Sequence, residues 1–336
     1  MLHAIERAFS ERMLRREVVR LRAALSHTDR NTVIAKSRAM RQVLDTARRA
    51  AATNVTVLLT GETGTGKSVL AQYIHDCSQR CKEPFLQINC AALPAALAES
   101  ELFGVRKGAY TDAREDREGV FVAAGNGTLF LDEIAELSLE AQAKLLRALD
   151  AGMVRPVGSD KEIPFRARLL TATNRQLEPL LKEGRIRPDL YYRIHVLRIE
   201  MPALRERRED IPPLVDAFLE KAGQRHGRRM AGVSASAMRL LMRHSWPGNV
   251  RELLNVVERA VAMAEHDVIL PEDLAFNESR ENSPDFEQAI SADSSLEAVE
   301  RAYIRRVLEA HGGNKAAAAK VLGITRKTLY RKLEGS

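Results

Sequence analysis

One run constrains the fold of this chain more than any other. VTVLLT (55–60), rich in β-formers, passes directly into GETGTGKS (61–68) and from there into a helical pattern that opens at about residue 67. The spacing fits G-x-x-x-x-G-K-[ST] at Gly61, Gly66, Lys67 and Ser68. Glycines in such a loop let backbone N–H groups curl around phosphates. A lysine brings positive charge to the β- and γ-phosphates, and a hydroxyl is offered to Mg²⁺. The helix N-terminus that follows favours anions as well. Gly61, Glu62, Thr63, Gly64, Thr65, Gly66, Lys67 and Ser68 are therefore the candidate nucleotide-binding segment.

A second element fits the first. GTLFLDEI (127–134) ends a β-rich run on Asp132 and Glu133, at the carboxyl end of a strand, where α/β sheets bind ligands. There Asp132 would hold the metal through water, with Ser68, and Glu133 would polarise the attacking water. Seen alone, an acidic pair after an apolar run is an ordinary solvated strand end. Paired with the phosphate loop, it supplies the other half of a nucleoside-triphosphate hydrolase.

Around these motifs, strand-like runs at 55–60, 85–90, 127–134 and 167–174 alternate with amphipathic helical patterns. The expected fold class is α/β, a parallel sheet flanked by helices over residues 33–203. A helical subdomain is expected over 204–275, with Ser234 capping one helix and WPGN (246–249) breaking another. Residues 276–295 read as a linker; from 277 on they hold five acids, one base and little to bury. Residues 296–336 turn basic, with nine Lys or Arg against four Glu. Their expected helices are LEAVERAYIRRVLEAH, ended by Gly312-Gly313, then KAAAAKVL with Asn314 as cap, and TRKTLYRKL capped by Thr325. Two short helices joined by a tight turn read as a separate, all-α helix-turn-helix. Arg326, Lys327, Thr328, Tyr330 and Arg331 would then face the major groove or flanking phosphates of double-stranded DNA. A basic bundle that binds protein is the alternative.

At the other end, residues 1–30 carry an apolar stripe from Leu2 to Leu25, expected to form a coiled-coil-like helix or to pack on another surface. That start has no apolar h-region, and no stretch approaches the roughly 18–20 apolar residues that span a bilayer. Three cysteines (Cys77, Cys81, Cys90) make no disulfide framework and match no common zinc spacing. A cytoplasmic protein with no membrane partner is expected. The net charge of +7 is compatible with nucleic acid without being diagnostic of it.

GETGTGKS, INCAAL (88–93), ELFG (101–104), GAYTDA (108–113), GTLFLDEI, ATNR (172–175), RPDLYYRI (187–194) and WPGNVREL (246–253) occur in this order. Together they resemble the AAA+ ATPase domain of bacterial enhancer-binding proteins, the activators of sigma-54 RNA polymerase. The resemblance covers about residues 33 to 275 and implies ring-forming ATPases, dimers that assemble into hexameric or heptameric rings. Such rings use ATP and Mg²⁺ to remodel the closed promoter complex. It also implies roles. Asn174 matches the first sensor of the γ-phosphate and Arg251 the second, from the helical lid. Arg187 and Arg193 match arginine fingers that act on the neighbouring subunit's ATP, so that hydrolysis depends on assembly. Asn89 matches the residue that restrains the catalytic Glu133. Gly108, Ala109, Tyr110, Thr111, Asp112 and Ala113 occupy the GAFTGA loop that touches sigma-54. Tyr110 keeps the aromatic ring there, and Asp112 replaces a glycine with a charge. The tail resembles the Fis-type DNA-binding domain of the same activators, which implies enhancer DNA as a partner. Residues 1 to about 25 resemble the last helix of a receiver domain and its linker. With no receiver ahead of it, the chain reads as a truncated or naturally receiver-less activator.

Two other readings compete. A remodelling ATPase with another client would lack the 108–113 loop. A DNA-binding repressor with ATP-controlled oligomerisation would not need Lys67, Asp132, Glu133, Asn174, Arg187, Arg193 and Arg251 together.

Overall fold

The computed structural model describes residues 33–109 and 115–276, then 300, 303, 304, 307, 308, 315–325, 328, 329 and 332. The helix expected near the N-terminus, positions 110–113 of the GAYTDA loop, the linker, Gly312-Gly313 and Asn314 lie outside these residues. So do Arg326, Lys327, Tyr330 and Arg331. The chain divides into two compact units, Met1–Ala275 and Phe276–Ser336.

The first unit is built on a parallel sheet of five strands: β1 (Val57–Thr60), β2 (Phe85–Asn89), β3 (Thr128–Asp132), β4 (Arg168–Thr173) and β5 (Leu197–Glu200). They lie in the order β2-β3-β4-β1-β5. The first four are each one to three residues shorter than their β-rich runs, and β5 corresponds to none of the runs. The 127–134 run stops at Asp132 because Glu133 takes a left-handed conformation, φ 53°, which no strand can continue. Every residue of β1 and β4 is buried, as expected where helices cover both faces. Alternation sorts the side chains. Leu58, Leu129, Leu131 and Leu169 pack into one core, and Val57, Leu59, Phe130, Leu170 and Ala172 into the other.

Helices α1 (Arg38–Ala51) and α2 (Lys67–Asp76) cover the second core through Met40, Ala47, Leu70 and Ile74. On the first lie α3 (Ala95–Phe103), α4 (Leu139–Ala151) and α5 (Pro188–Ile194), with Leu102, Leu145 and Leu190 inward. Serine caps start several helices. Ser37, Ser138 and Ser234 accept from Met40, Ala141 and Ala237 N–H, each at 3.2 Å. Among the described residues no helix is long and apolar enough to cross a membrane.

From 204 the chain is helical, with α6 (Ile211–His226), α7 (Ala235–Arg243) and α8 (Asn249–Met263) packed through Val215, Leu241, Leu253 and Val257. One feature departs from an all-helical expectation. Gly232–Val233 and Val268–Ile269 form a two-residue parallel ladder that ties the α6–α7 connector to the segment after α8. The turn into α8 is anchored by Trp246, fully buried, whose Nε1 donates to Leu241 O at 2.9 Å.

In the second unit, helix α9 (Lys315–Val321) ends in a turn at Gly323, φ 66°. Thr325 Oγ1 then accepts from Thr328 N–H at 3.2 Å, the cap expected of the next helix. Ile304, Val307, Ala318, Ala319 and Leu329 share one core, so three segments pack together as a helix-turn-helix requires.

Candidate nucleotide-hydrolysis site

Parallel register sets the site. Thr60 pairs with Thr173, Leu131 with Thr171, and Asn89 with Asp132, so the carboxyl ends of β1, β4, β3 and β2 lie at one edge. The phosphate loop leaves β1 there. It follows a path that only glycine permits at Gly64, φ 80°, where a Cβ would stand 2.3 Å from Gly248 O. Lys67 opens α2 with its side chain buried, and its Nζ donates to Gly61 O at 2.9 Å and to Glu62 O at 3.2 Å. Burial lowers the Lys67 pKa, and the nearby Glu133 and Asp132 carboxylates oppose that shift. Ser68 Oγ lies 3.4 Å from Asp132 Oδ2. That hydroxyl and carboxylate are hard oxygen donors, the set that suits Mg²⁺ shared with phosphates and water. Among the described residues no three His, Cys, Asp or Glu gather to hold a metal by themselves.

Glu133 is held by a neighbour that local sequence does not announce. Asn174, just past β4, donates its backbone N–H to Glu133 Oε2 at 3.0 Å. Its side-chain Nδ2 donates to Thr63 Oγ1 at 2.8 Å. One residue thus bridges the carboxylate and the phosphate loop. Asn89, the residue expected to restrain Glu133, ends β2. Its Oδ1 caps the turn at Cys90–Ala92 by accepting from Ala91 N–H at 2.9 Å. Register still keeps it beside Asp132. The buried Cys90 thiol is pushed up to about 12, chiefly by desolvation and then by Asp132, which makes it an inert packing group.

The helical subdomain sits directly on the phosphate loop. Val250 N–H donates to Gly64 O at 3.0 Å and Arg251 N–H to the same oxygen at 3.3 Å, so the backbone of Arg251 lies against the loop. Arg205, Arg207 and Asn249 also contact it, and none of the three stood out in the sequence. LRERRED (204–210) looks like any solvated charge run, and Asn249 looked like part of a helix break.

The remaining described candidates have other partners. Arg187 Nε and Nη2 donate to Asp189 at 3.1 and 2.7 Å, while Arg193 Nη2 donates to Leu149 O at 2.7 Å and its Nε meets Asp150 at 3.0 Å. Gly108 and Ala109 begin a loop whose stem is tied off. Asp116 pairs with Arg106 and accepts from Lys107 N–H at 2.8 Å, and both Gly104 and Arg106 bond to the backbone of Val157. In the tail, the Thr328 hydroxyl lies 2.8 Å from Thr325 Oγ1, so it serves the helix start.

Residues 33–200 match the sigma-54 interaction domain, 205–290 the AAA+ ATPase lid domain, and 295–334 the bacterial regulatory protein, Fis family. The chain is 45% identical over 306 residues to the transcriptional regulatory protein ZraR of Salmonella typhi, covering 90% of this chain and 68% of that protein. It is 41% identical over 337 residues to the regulatory protein AtoC of Escherichia coli, with 98% and 73% covered. Among solved structures, NtrX from Brucella abortus in complex with ATP superposes with a TM-score of 0.67 at 33% identity, covering 99% of this chain and 74% of that one.

Proposed function

Because the chain belongs to the sigma-54 activator family of AAA+ ATPases, with a Fis-type helix-turn-helix, we propose that it binds enhancer DNA and uses ATP hydrolysis to remodel the sigma-54 polymerase closed complex. The observation that carries this reading is the convergence of Lys67, Ser68, Asp132, Glu133 and Asn174 at the carboxyl ends of three adjacent strands. In the proposed mechanism, the loop N–H groups of 61–68 and Lys67 hold the phosphates. Ser68 and Asp132 would hold Mg²⁺, which would supply charge neutralisation for the phosphates when bound. Glu133 polarises the attacking water, and Asn174 transmits the state of the γ-phosphate to Glu133 through the hydrogen bond they share. Arg251 answers from the lid. Arg187 and Arg193 act on the next subunit of a hexameric or heptameric ring, where their charge stabilises the transition state.

The proposed division is 33–203 for the α/β subdomain, 204–275 for the lid, 276–295 for a linker and 296–336 for DNA binding. A cytoplasmic site follows from polymerase and DNA as partners. The loop from Gly108 to Ala113 is proposed as the contact with sigma-54. The decisive experiment is open-complex formation by sigma-54 holoenzyme on a promoter bearing this protein's binding site. Open complexes are expected with ATP and not without it. ATP turnover with no open complex would instead indicate a remodelling ATPase with another client.

The tail carries its own expected result. Replacing Arg326 or Arg331 with Ala will weaken specific DNA binding by about 1–3 kcal/mol if the residue reads a base edge. A phosphate contact will weaken all sequences alike and lower the salt slope by about one. Titration of specific and scrambled duplexes at several salt concentrations separates the two. A tail that binds both duplexes equally overturns the reading.

A further inference from the structure

Glu62 is the second residue of the phosphate loop, yet its carboxylate is engaged by residues outside it. Arg205 donates to it in bidentate fashion, Nη2 to Oε1 at 2.6 Å and Nη1 to Oε2 at 2.9 Å. Asn249 Nδ2 adds a third bond, to Oε2 at 3.0 Å. Arg205 belongs to the connector between β5 and α6, and Asn249 opens α8, so both partners come from the lid side of the unit.

The loop's carbonyls are gripped from the same side. Asn249 Nδ2 donates to Thr63 O at 3.1 Å, the α8 N-terminus donates to Gly64 O, and the buried Arg207 Nη2 donates to Thr65 O at 2.5 Å. Three consecutive carbonyls thus take their donors from 207–251. Asn249 is itself braced, because its Oδ1 accepts from Leu204 N–H at 2.8 Å and its backbone holds φ 52°, a conformation asparagine tolerates better than most residues. A phosphate loop presents N–H groups to the nucleotide, so its carbonyls are left for something else to satisfy. Here that something is the lid.

We propose that Glu62, Arg205 and Asn249 form a latch between the phosphate loop and the lid, and that breaking this latch limits the rate at which spent nucleotide leaves. Glu62 is then a positioning residue: it acts through Arg205 and Asn249. Its contacts hold the lid, and with it Arg251, closed over the loop. The bidentate pair is charge-assisted and joins the two sides of this junction with a fixed geometry. The same pair, with Asn249, holds the Glu62 carboxyl down at about 2, so the latch stays charged throughout the physiological range. The proposal rests on the ATPase reading and deepens it, by assigning to lid contacts a step that phosphate contacts alone would otherwise set.

The test is a double-mutant cycle on ADP release, followed by stopped flow with a fluorescent ADP and the full chain. Glu62→Gln and Arg205→Gln are each expected to release ADP about fivefold faster than wild type, the effect of losing one well-formed surface ion pair. The double variant is expected to be no faster than either single one, because both substitutions break the same bond. Arg205 is half exposed and outside the loop, so Arg205→Gln carries the expectation even if Glu62→Gln fails to fold. Wild-type release rates in the variants, or factors that multiply in the double variant, overturn the latch. A wild-type chain that binds no ADP removes the ATPase reading and the latch together, whereas normal wild-type binding with unchanged variants removes the latch alone.

Discussion

Glu133→Gln will slow ATP hydrolysis by about 10²–10⁴-fold, the range for losing a general base, and leave ATP affinity nearly unchanged. Glutamine keeps the shape of the side chain and an oxygen to accept from Asn174 N–H, a bond of 3.0 Å in the native chain. It loses the negative charge that draws a proton from water. Single-turnover hydrolysis beside a binding titration checks this, and equal losses in both would make Glu133 a structural residue. The backbone supplies a second signature at the same position. Glu133 sits at φ 53°, ψ 51°, a region that costs a side-chain-bearing residue about 1–2 kcal/mol and glycine almost nothing. Glu133→Gly should therefore be as inactive as the glutamine variant and melt about 2–4 °C higher than Glu133→Ala, which loses the same bond to Asn174 but keeps the left-handed strain. A glycine variant no more stable than the alanine one would show that no strain is stored there.

Arg187→Ala and Glu133→Gln, each inactive alone, will recover ATPase activity when mixed. Within one chain, Arg187 is bonded to Asp189 and Arg193 to Leu149 and Asp150, so neither is committed to its own phosphate loop. An arginine finger is worth about 10³–10⁵ in turnover. If it is donated to a neighbour, an interface with Arg187→Ala as the hydrolysing subunit and Glu133→Gln as the donor is complete. In an equimolar random ring roughly a quarter of interfaces are of this kind. Steady-state hydrolysis of the mixture, against each variant alone at the same total concentration, reads the result. No recovery would place the arginines in cis or give them another task.

The sequence by itself determined the parts of this protein that are written locally. A glycine-rich loop between a strand and a helix has a period, a composition and a chemistry that survive without tertiary context. The same is true of an apolar strand ending in Asp132-Glu133, and of Ser234 placed at a helix start. The α/β class followed from the alternation of those patterns, and the order of the motifs carried the family. Tertiary structure alone decided how these parts hold one another. Asn174 reaches both Glu133 and Thr63 because β4 lies between β1 and β3, an order no local pattern encodes. Glu62 finds Arg205 in a charge run that reads as solvated surface, and Asn249 satisfies a carbonyl 186 residues away. The physical reason is common to these contacts. Side-chain propensity and periodicity report what a residue does to its own few neighbours, whereas these contacts join residues far apart in sequence and exist only once the sheet and the lid have closed on the loop.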